Sequence, residues 1–352
     1  MNARAYRIIG RLKVPPMGVA DDRDFWTVPA GMAQVKISDT ITPYCLNEEG
    51  VTLVETPDDV RLAGRPFLYR EQYRYAKRVY SVERTEFCEA MSAQAPPTAP
   101  IFICGMGRSG STMLAQMLTA SSETRVYDEP DIFTQLATLP DTYHDLIAPA
   151  TTAFAQDNRR LVLKQRSFVS YLIPAIHAVF PDARFVFLYR DPLGWIQSNL
   201  RMVLRYRVPN FVVRRLMRPM IEPYLTQREV AQLPQMHMVE IASLLWVKFM
   251  QLAQTFIANQ LPVMMLRYDD FVAEPQVSLK RVLDGCALSS ADMDAMLATK
   301  QQDSQQDTPL ARTKLRSASL SSQQIECIRA VIDAHGWASD ARLSAPSERM
   351  YG

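Results

Sequence analysis

Short apolar runs alternate with amphipathic stretches along most of the chain after residue 95. The runs end at Cys104, Leu163, Tyr189 and Leu266. Segments with helical periodicity follow them, at residues 111–120, 169–180, 193–204 and 276–286. Short, almost continuous apolar strands that alternate with helices are typical of a parallel sheet covered on both faces. The pattern therefore predicts an α/β fold with a parallel sheet flanked by helices, which binds ligands at the carboxyl ends of its strands.

Residues 1–95 have a different pattern and are predicted to form a small N-terminal region. Residues 25–55 have the pattern of short strands separated by prolines and glycines. In residues 66–89, tyrosines recur at helical spacing, which predicts one amphipathic helix whose tyrosine side packs on the main domain. A surface for a substrate or a partner is the alternative. Because residues 90–99 have the composition of a linker, we expect the main domain to cover residues 96–345.

The composition is that of an ordinary globular protein. Hydrophobic residues make up 48% and charged residues 22% of the 352 positions, which excludes a disordered or fibrous chain. There are 39 lysines and arginines against 37 aspartates and glutamates, so the net charge of +2 gives no general attraction for nucleic acid. We therefore expect no nucleic-acid partner.

Cysteine and histidine usage predicts neither a disulfide framework nor a metal site. The five cysteines are odd in number and widely spread, without a Cys-x-x-Cys pair, and the four histidines are scattered. These features favour a reducing, cytoplasmic location. The first residues lack the apolar run of a secretory signal, and no stretch approaches the roughly 18 apolar residues of a membrane span. We therefore expect a protein without a membrane span.

A glycine-rich turn follows the first apolar run of the main domain. Its sequence is Gly105-Met106-Gly107-Arg108-Ser109-Gly110-Ser111-Thr112, and a helical pattern begins at its end. A turn between a strand and a helix lets backbone N–H groups and the helix N-terminus hold an anion. The glycine spacing fits a Walker A loop, but Ser111 stands where that motif has lysine, and Arg108 offers a positive charge instead. The candidate binding residues are Gly107, Arg108, Ser109, Gly110, Ser111 and Thr112; a turn that merely begins a helix is the alternative.

A second candidate anion site follows the strand that ends at Tyr189. Arg190-Asp191-Pro192 comes directly after this strand, and Ser198 lies eight residues beyond Arg190 on the next predicted helix. An arginine and a nearby hydroxyl can hold one phosphate through charge-assisted hydrogen bonds. Alternatively, Arg190 and Asp191 pair with each other or are solvated. Together with the glycine-rich turn, this motif indicates a ligand with two separate anionic groups.

Three stretches of the sequence resemble the sulfotransferase family that uses 3′-phosphoadenosine 5′-phosphosulfate (PAPS). The glycine-rich turn is similar to the 5′-phosphosulfate loop of that family, and Arg190-Asp191-Pro192 with Ser198 has the spacing of its 3′-phosphate motif. Leu266-Arg267-Tyr268-Asp269-Asp270-Phe271, followed by Glu274-Pro275, is similar to the strand and turn before a late family helix. The resemblance spans about residues 99–290. It implies a P-loop-like sulfotransferase fold, PAPS as co-substrate, 3′,5′-adenosine bisphosphate (PAP) as product, a small-molecule acceptor and no metal.

The resemblance also implies a catalytic base. The tyrosyl-protein and bacterial small-molecule branches place a catalytic glutamate soon after the phosphate loop, and Glu129 in Tyr127-Asp128-Glu129-Pro130 falls at such a separation. An exposed acidic turn is the alternative. Cytosolic members use a histidine instead, but His144 is poorly placed and His177 lies inside an amphipathic helix. We therefore expect the chain to be closer to the branches with a glutamate base.

The resemblance implies that Lys164 and Arg108 neutralise charge on the leaving nucleotide. The family pattern is a lysine followed by a small residue and proline, whereas Gln165 and Arg166 follow Lys164 here without a proline, which leaves the role of Arg166 open. Two further basic groups are candidate ligand contacts, the first for the nucleotide phosphates or an acidic acceptor and the second for the 3′-phosphate, with solvated surfaces as the alternative. The first consists of Arg201, Arg205, Arg207, Arg214, Arg215 and Arg218, and the second of Arg312, Lys314 and Arg316.

The predicted activity is transfer of the sulfuryl group from PAPS to a hydroxyl, or an amine, of an organic acceptor. One alternative is an ATP-dependent small-molecule kinase, which needs Mg²⁺ and the lysine that Ser111 replaces. The other is a non-catalytic nucleotide-binding module whose N-terminal region engages a partner protein.

Overall fold

The chain divides into two compact units, one formed by residues 1–102 and 121–183 and the other by residues 103–120 and 184–352. The computed structural model describes residues 1–12, 18–206, 218, 221–301, 319–338 and 341–343. The boundary near residue 95 was inferred from a change in sequence pattern. The division into residues 1–95 and 96–345 stays a prediction.

Ten strands and thirteen α-helices are present within the described residues. The strands are β1 Asn2–Arg11, β2 Phe25–Gln34, β3 Ile41–Leu46, β4 Gly50–Glu55, β5 Arg78–Glu83, β6 Ile101–Gly105, β7 Thr124–Asp128, β8 Arg160–Lys164, β9 Arg184–Tyr189 and β10 Val263–Arg267. The helices are α1 Leu68–Tyr75, α2 Arg84–Ser92, α3 Ser111–Thr119, α4 Asp131–Leu136, α5 Ile147–Thr152, α6 Ile173–Val179, α7 Pro192–Tyr206, α8 Gln227–Gln232, α9 Met238–Ala258, α10 Tyr268–Ala273, α11 Pro275–Gly285, α12 Met293–Ala298 and α13 Ser322–Ala334.

The N-terminal strands form an antiparallel sheet in the order β2-β1-β5-β4-β3. The strands predicted within residues 25–55 are confirmed. The single helix predicted over residues 66–89 is wrong, because β5 separates α1 from α2. Val79, Tyr80 and Val82 are buried while Arg78 and Glu83 are exposed, so the β-branched and aromatic side chains of this segment favour a strand.

The second sheet gives the molecule its α/β class. It contains five strands in the order β10-β9-β6-β8-β7. Both β7 with β8 and β9 with β10 pair in parallel. The four apolar runs named from the sequence are β6, β8, β9 and β10, and the helical segments predicted after them correspond to α3, α6, α7 and α11. The prediction of a parallel sheet flanked by helices is therefore confirmed.

The helix α9 is apolar and mostly buried. Trp246 and Phe249 are each 1% exposed. By length and composition this helix could cross a membrane, but buried core helices of soluble proteins have the same properties, so the evidence for a span is weak. The expectation of a chain without a span stays a prediction.

Candidate active site

The glycine-rich turn, called the phosphate loop below (residues 105–112), leaves β6 through a glycine that no other residue can replace. Gly105 has φ of +118°, and the N–H of Met106 donates to the Leu188 carbonyl at 2.8 Å. A Cβ on Gly105 would lie 2.1 Å from that carbonyl oxygen. The loop therefore begins in close backbone contact with β9, at a position that requires a glycine.

Two further loop residues have left-handed backbone. Arg108 has φ of +66° and Gly110 has φ of +89°. The carbonyl of Gly107 accepts a hydrogen bond from Trp195 Nε1 at 2.6 Å, which ties the loop to α7. Helix α3 begins at Ser111, and within the described part of the chain no N-cap side chain accepts a hydrogen bond from its first turn. A strained loop that ends in an uncapped helix N-terminus is the arrangement that binds an anion.

A hydrogen bond joins the two anion motifs that the sequence predicted separately. Arg108 Nε donates to Ser198 Oγ at 3.3 Å. The two residues are 90 positions apart in the chain. The 5′ and 3′ phosphate motifs implied by the family resemblance therefore meet within one compact unit.

Tyr268, at the start of α10, connects the third stretch of the resemblance to the other two. The guanidinium carbon of Arg190 lies 4.3 Å from the centroid of the Tyr268 ring. A Cβ on Gly110 would lie 2.9 Å from Cδ2 of the same ring, so the loop packs directly on it. From the sequence, Tyr268 was named only as part of a motif. Its position immediately after a strand was the one signal that it could pack against Arg190 and the phosphate loop.

Two buried polar atoms beside these contacts have no hydrogen-bond partner among the described residues. They are Ser109 Oγ, on a residue that is 0% exposed, and Arg190 Nε. Arg190 Nε forms an ion pair with an Asp191 carboxylate oxygen at 3.7 Å, beyond hydrogen-bond distance. Buried donors without partners are rare and are usually completed by water, an ion or a ligand. A hydroxyl and a guanidinium N–H of this kind fit the oxygens of an anionic ligand.

Glu129 and Lys164 come together in the other compact unit. Lys164 ends β8 opposite Asp128, the last residue of β7. Its Nζ lies 3.0 Å from Asp128 Oδ1 and also contacts Glu129 Oε1. Glu129 follows with φ of +59°, and its N–H donates to the Lys164 carbonyl at 2.7 Å. The left-handed backbone turns the Glu129 side chain toward the lysine.

Arg166 completes a group of five charged residues, called the carboxylate cluster below. Its Nε lies 3.0 Å from Asp131 Oδ1 and 3.5 Å from Glu129 Oε2. The cluster contains Asp128, Glu129, Asp131, Lys164 and Arg166. The Arg166 guanidinium therefore faces the candidate base.

Burial and pairing set opposite protonation preferences within the cluster. Burial raises the pKa of Asp128 and of Asp131 to about 6, and the cations offset it only in part. Burial also opposes the charge of Glu129, but Lys164 and Arg166 outweigh it and lower the pKa of that carboxyl. Asp128 and Glu129 likewise outweigh burial at Lys164 and raise its pKa. At neutral pH Glu129 is therefore ionised and Lys164 is protonated.

The family is decided by a sequence comparison. The model of the sulfotransferase family matches residues 100–147 and 134–292, which together make up more than half of the chain. The chain belongs to the sulfotransferase family. The resemblance stated from the sequence is thereby confirmed, and the chain is a sulfotransferase, an enzyme class that transfers sulfuryl groups. No protein of curated function matches this sulfotransferase.

Solved sulfotransferases resemble the chain at low identity. STF9 from Mycobacterium avium is 16% identical with a TM-score of 0.45, over 72% of this chain and 81% of that one. A sulfotransferase from Alicyclobacillus acidocaldarius is 12% identical with a TM-score of 0.46, over 69% and 93%. Mouse SULT7A1 complexed with PAP is 9% identical with a TM-score of 0.43, over 71% and 88%. Similarities of this size add no argument about the site.

The remaining candidate residues have the following positions. Ser111 begins α3, and Thr112 is buried in its first turn. His144 Nε2 lies 3.6 Å from Asp141, and His177 is in α6. Arg218 donates to Glu222. The side chains of Arg205, Arg207, Arg214, Arg215, Arg312, Lys314 and Arg316 lie outside the described residues. The catalytic and binding roles of all the candidate residues stay predictions.

Proposed function

We propose that this sulfotransferase moves the sulfuryl group of PAPS to a hydroxyl, or an amine, of a small organic acceptor by in-line displacement. The hydrogen bond between Arg108 and Ser198 carries the proposal, because it joins two predicted anion motifs. PAPS has two separate anionic groups, a 5′-phosphosulfate and a 3′-phosphate. A site with two linked anion motifs suits a donor of this kind.

In this proposal the phosphate loop holds the 5′-phosphosulfate. Backbone N–H groups from Gly107 to Thr112 and the hydroxyls of Ser109 and Ser111 are the donors. Arg190 and Ser198 hold the 3′-phosphate. The buried Ser109 Oγ and Arg190 Nε support these assignments, because each lacks a hydrogen-bond partner within the described residues. PAPS supplies the activated sulfuryl group.

Glu129 is the proposed general base. Its pKa is lowered by Lys164 and Arg166 despite burial, so the carboxylate is ionised at neutral pH and can accept the proton of the acceptor hydroxyl. When Glu129 becomes neutral, its attraction for Lys164 is lost while Asp128 still holds the lysine. The positive charge of Lys164 is then less compensated. We propose that it and Arg108 neutralise the charge of the departing nucleotide.

The test is metal-independent release of PAP from PAPS. Purified protein is incubated with PAPS, EDTA and single acceptors, namely 2-naphthol, an aliphatic alcohol, a monosaccharide and an aromatic amine. We expect acceptor-dependent PAP release with at least one of them, and its loss in Lys164→Met. Phosphoryl transfer from ATP with Mg²⁺ would overturn the proposal in favour of a kinase. PAP binding without PAP release from PAPS under any condition would favour a non-catalytic module.

A further inference from the structure

The N-terminal region supplies contacts to the carboxylate cluster that the family model, which begins at residue 100, does not include. The Gly18 carbonyl accepts a hydrogen bond from an Arg166 terminal nitrogen at 3.0 Å. The N–H of Ala20 donates to Asp131 Oδ2 at 2.7 Å. The Tyr69 ring lies 4.4 Å from the Arg166 guanidinium carbon, within cation–π distance. Arg166 therefore has partners on both sides of the linker.

Phe67 makes a further N-terminal contact with the cluster. Its backbone N–H interacts with the Asp128 carboxylate, and its ring centroid is 5.9 Å from Lys164 Nζ. Phe67 has φ of +57°, which costs a residue with a Cβ about 1–2 kcal/mol. Surrounding contacts must maintain such a conformation, and strained residues of this kind cluster at functional sites. Glu129, in the same cluster, is also left-handed.

The burial of Arg166 explains why these partners matter. Its side chain is 10% exposed, and a buried guanidinium is tolerated only when its N–H groups and its charge have partners. Asp131 and Glu129 face Nε, Gly18 faces a terminal nitrogen, and Tyr69 covers the planar face. The contacts from residues 18–69 therefore fix the plane of the arginine and leave its Nε directed at the two carboxylates.

We propose that Arg166 is a positioning residue that holds the Glu129 carboxylate, and that the N-terminal region holds Arg166 in turn through Gly18 and Tyr69. The inference rests on the proposed role of Glu129 as the base. It gives residues 1–95 a part in the reaction, since without them the arginine has lost its carbonyl and aromatic partners. The charged and titratable groups that face Glu129 are Lys164, Arg166, Asp128, Asp131 and Tyr69.

The first arm of the test measures the Glu129 carboxyl directly. Protein labelled with ¹³C at glutamate carboxyls is titrated by NMR, and Glu129→Gln identifies the resonance. We expect the pKa of Glu129 to rise in Arg166→Gln, because a cation is lost, and to rise less in Tyr69→Leu, because the arginine is kept but is no longer fixed. Tyr69→Phe keeps the ring but removes the hydroxyl that hydrogen-bonds Arg166, so its effect should lie between those of the wild type and Tyr69→Leu. Arg159→Gln, which removes an exposed arginine paired with Asp157, is the matched control.

The second arm measures PAPS turnover against pH. Because the base must be ionised, a higher Glu129 pKa moves the acidic limb of kcat to higher pH. We also expect kcat at neutral pH to fall about 10²-fold in Arg166→Gln, because the Glu129 carboxylate is then no longer held in one orientation. An unchanged carboxyl titration in both Arg166→Gln and Tyr69→Leu would overturn this inference even if PAPS is turned over. A wild type without PAPS turnover would overturn the proposed function, and the NMR arm would still decide the positioning role. If Arg166→Gln does not fold, the carboxyl titration of Tyr69→Leu decides the positioning role of Arg166.

Discussion

The phosphate loop and the carboxylate cluster differ in whether their buried polar groups have partners. Beside the loop, Ser109 Oγ and Arg190 Nε are buried without a hydrogen-bond partner among the described residues. In the cluster, Lys164 and Arg166 each contact two carboxylates. Unpaired donors gain their full interaction only when a ligand arrives, whereas paired charges are already oriented. The first region is therefore suited to binding and the second to proton transfer.

Both regions nevertheless contain a strained residue at the centre. Arg108 and Glu129 are non-glycine residues with left-handed backbone, and each is a residue for which the sequence predicts a catalytic role. Such conformations cost of order 1–3 kcal/mol and persist where the surroundings enforce them. Left-handed backbone thus occurs both in the region whose charges are paired and in the region that holds the donors without a hydrogen-bond partner among the described residues.

The largest effect is expected from the base. Glu129→Gln should lower kcat by about 10²–10⁴-fold, because the acceptor proton has no recipient, while PAP affinity is unchanged. Lys164 keeps its contact with Asp128, so the fold is preserved. PAP release from PAPS measures kcat, and calorimetric titration measures PAP affinity. Glu123→Gln, at an exposed position, is the control, and equal kcat in the two variants would remove Glu129 from the mechanism.

Two glycine-to-alanine substitutions separate the cost of left-handed backbone from the cost of a steric clash in the phosphate loop. Gly105→Ala places a Cβ 2.1 Å from the Leu188 carbonyl oxygen, whereas a Cβ on Gly31, with φ of +94°, meets nothing within 4 Å. Gly31→Ala should cost about 1–2 kcal/mol in the free energy of unfolding, which is the cost of the left-handed conformation alone. Gly105→Ala should cost at least about 4 kcal/mol. Urea unfolding checks both, and similar losses would contradict the close approach of the loop to β9.

The buried carboxyls of the cluster should give stability a pH dependence. Because the pKa of Asp131 is about 6 in the folded chain, its contribution is present below the unfolded value near 4 and is lost as pH rises through 6. The stability difference between the wild type and Asp131→Asn should therefore fall between pH 4.5 and 7.5, by about 2 kcal/mol. In Asp157→Asn, where the pKa is lowered to about 2, the difference should stay constant over this range. A constant difference for Asp131→Asn would mean that burial does not raise its pKa.

The smallest effect concerns the unpaired hydroxyl. Ser109→Ala should leave the free protein as stable as the wild type, since no hydrogen bond is lost, and should weaken PAP binding by about 0.5–1.5 kcal/mol. Ser243 is buried too, but its Oγ donates to the Val239 carbonyl at 2.8 Å. Ser243→Ala should therefore cost about 1 kcal/mol of stability without changing PAP affinity. The reverse pattern would show that Ser109 is a structural residue.

The secondary structure of the main domain could be predicted because its strands are continuous apolar runs. Strands β6, β8, β9 and β10 and the helices after them were all predicted from this pattern. In contrast, β1 and β5 were missed. In both, arginines and other polar residues interrupt the apolar positions, and β5 lies within a run of tyrosines at helical spacing.

The candidate site was predictable only residue by residue. Glu129, Lys164, Arg108 and Ser198 were named from local motifs, but nothing local indicates which of them are in contact. The contacts of Arg166 with Gly18 and Tyr69 link residues about 100 or more positions apart and depend on tertiary packing. In the sequence, the only sign that Arg166 has an unusual environment was the departure from the family pattern at Gln165-Arg166.

In the proposed function, Arg190 belongs to an anion site shared with the phosphate loop. Calorimetric titration of the wild type, Arg190→Ala and the exposed control Arg281→Ala with PAP, and separately with ATP–Mg²⁺, tests it most directly. We expect tight PAP binding that weakens in Arg190→Ala by about 1.5–3 kcal/mol, as for a lost charged hydrogen bond, with no change in Arg281→Ala. Preference for ATP–Mg²⁺, or equal PAP affinity in Arg190→Ala and the wild type, would contradict the claim.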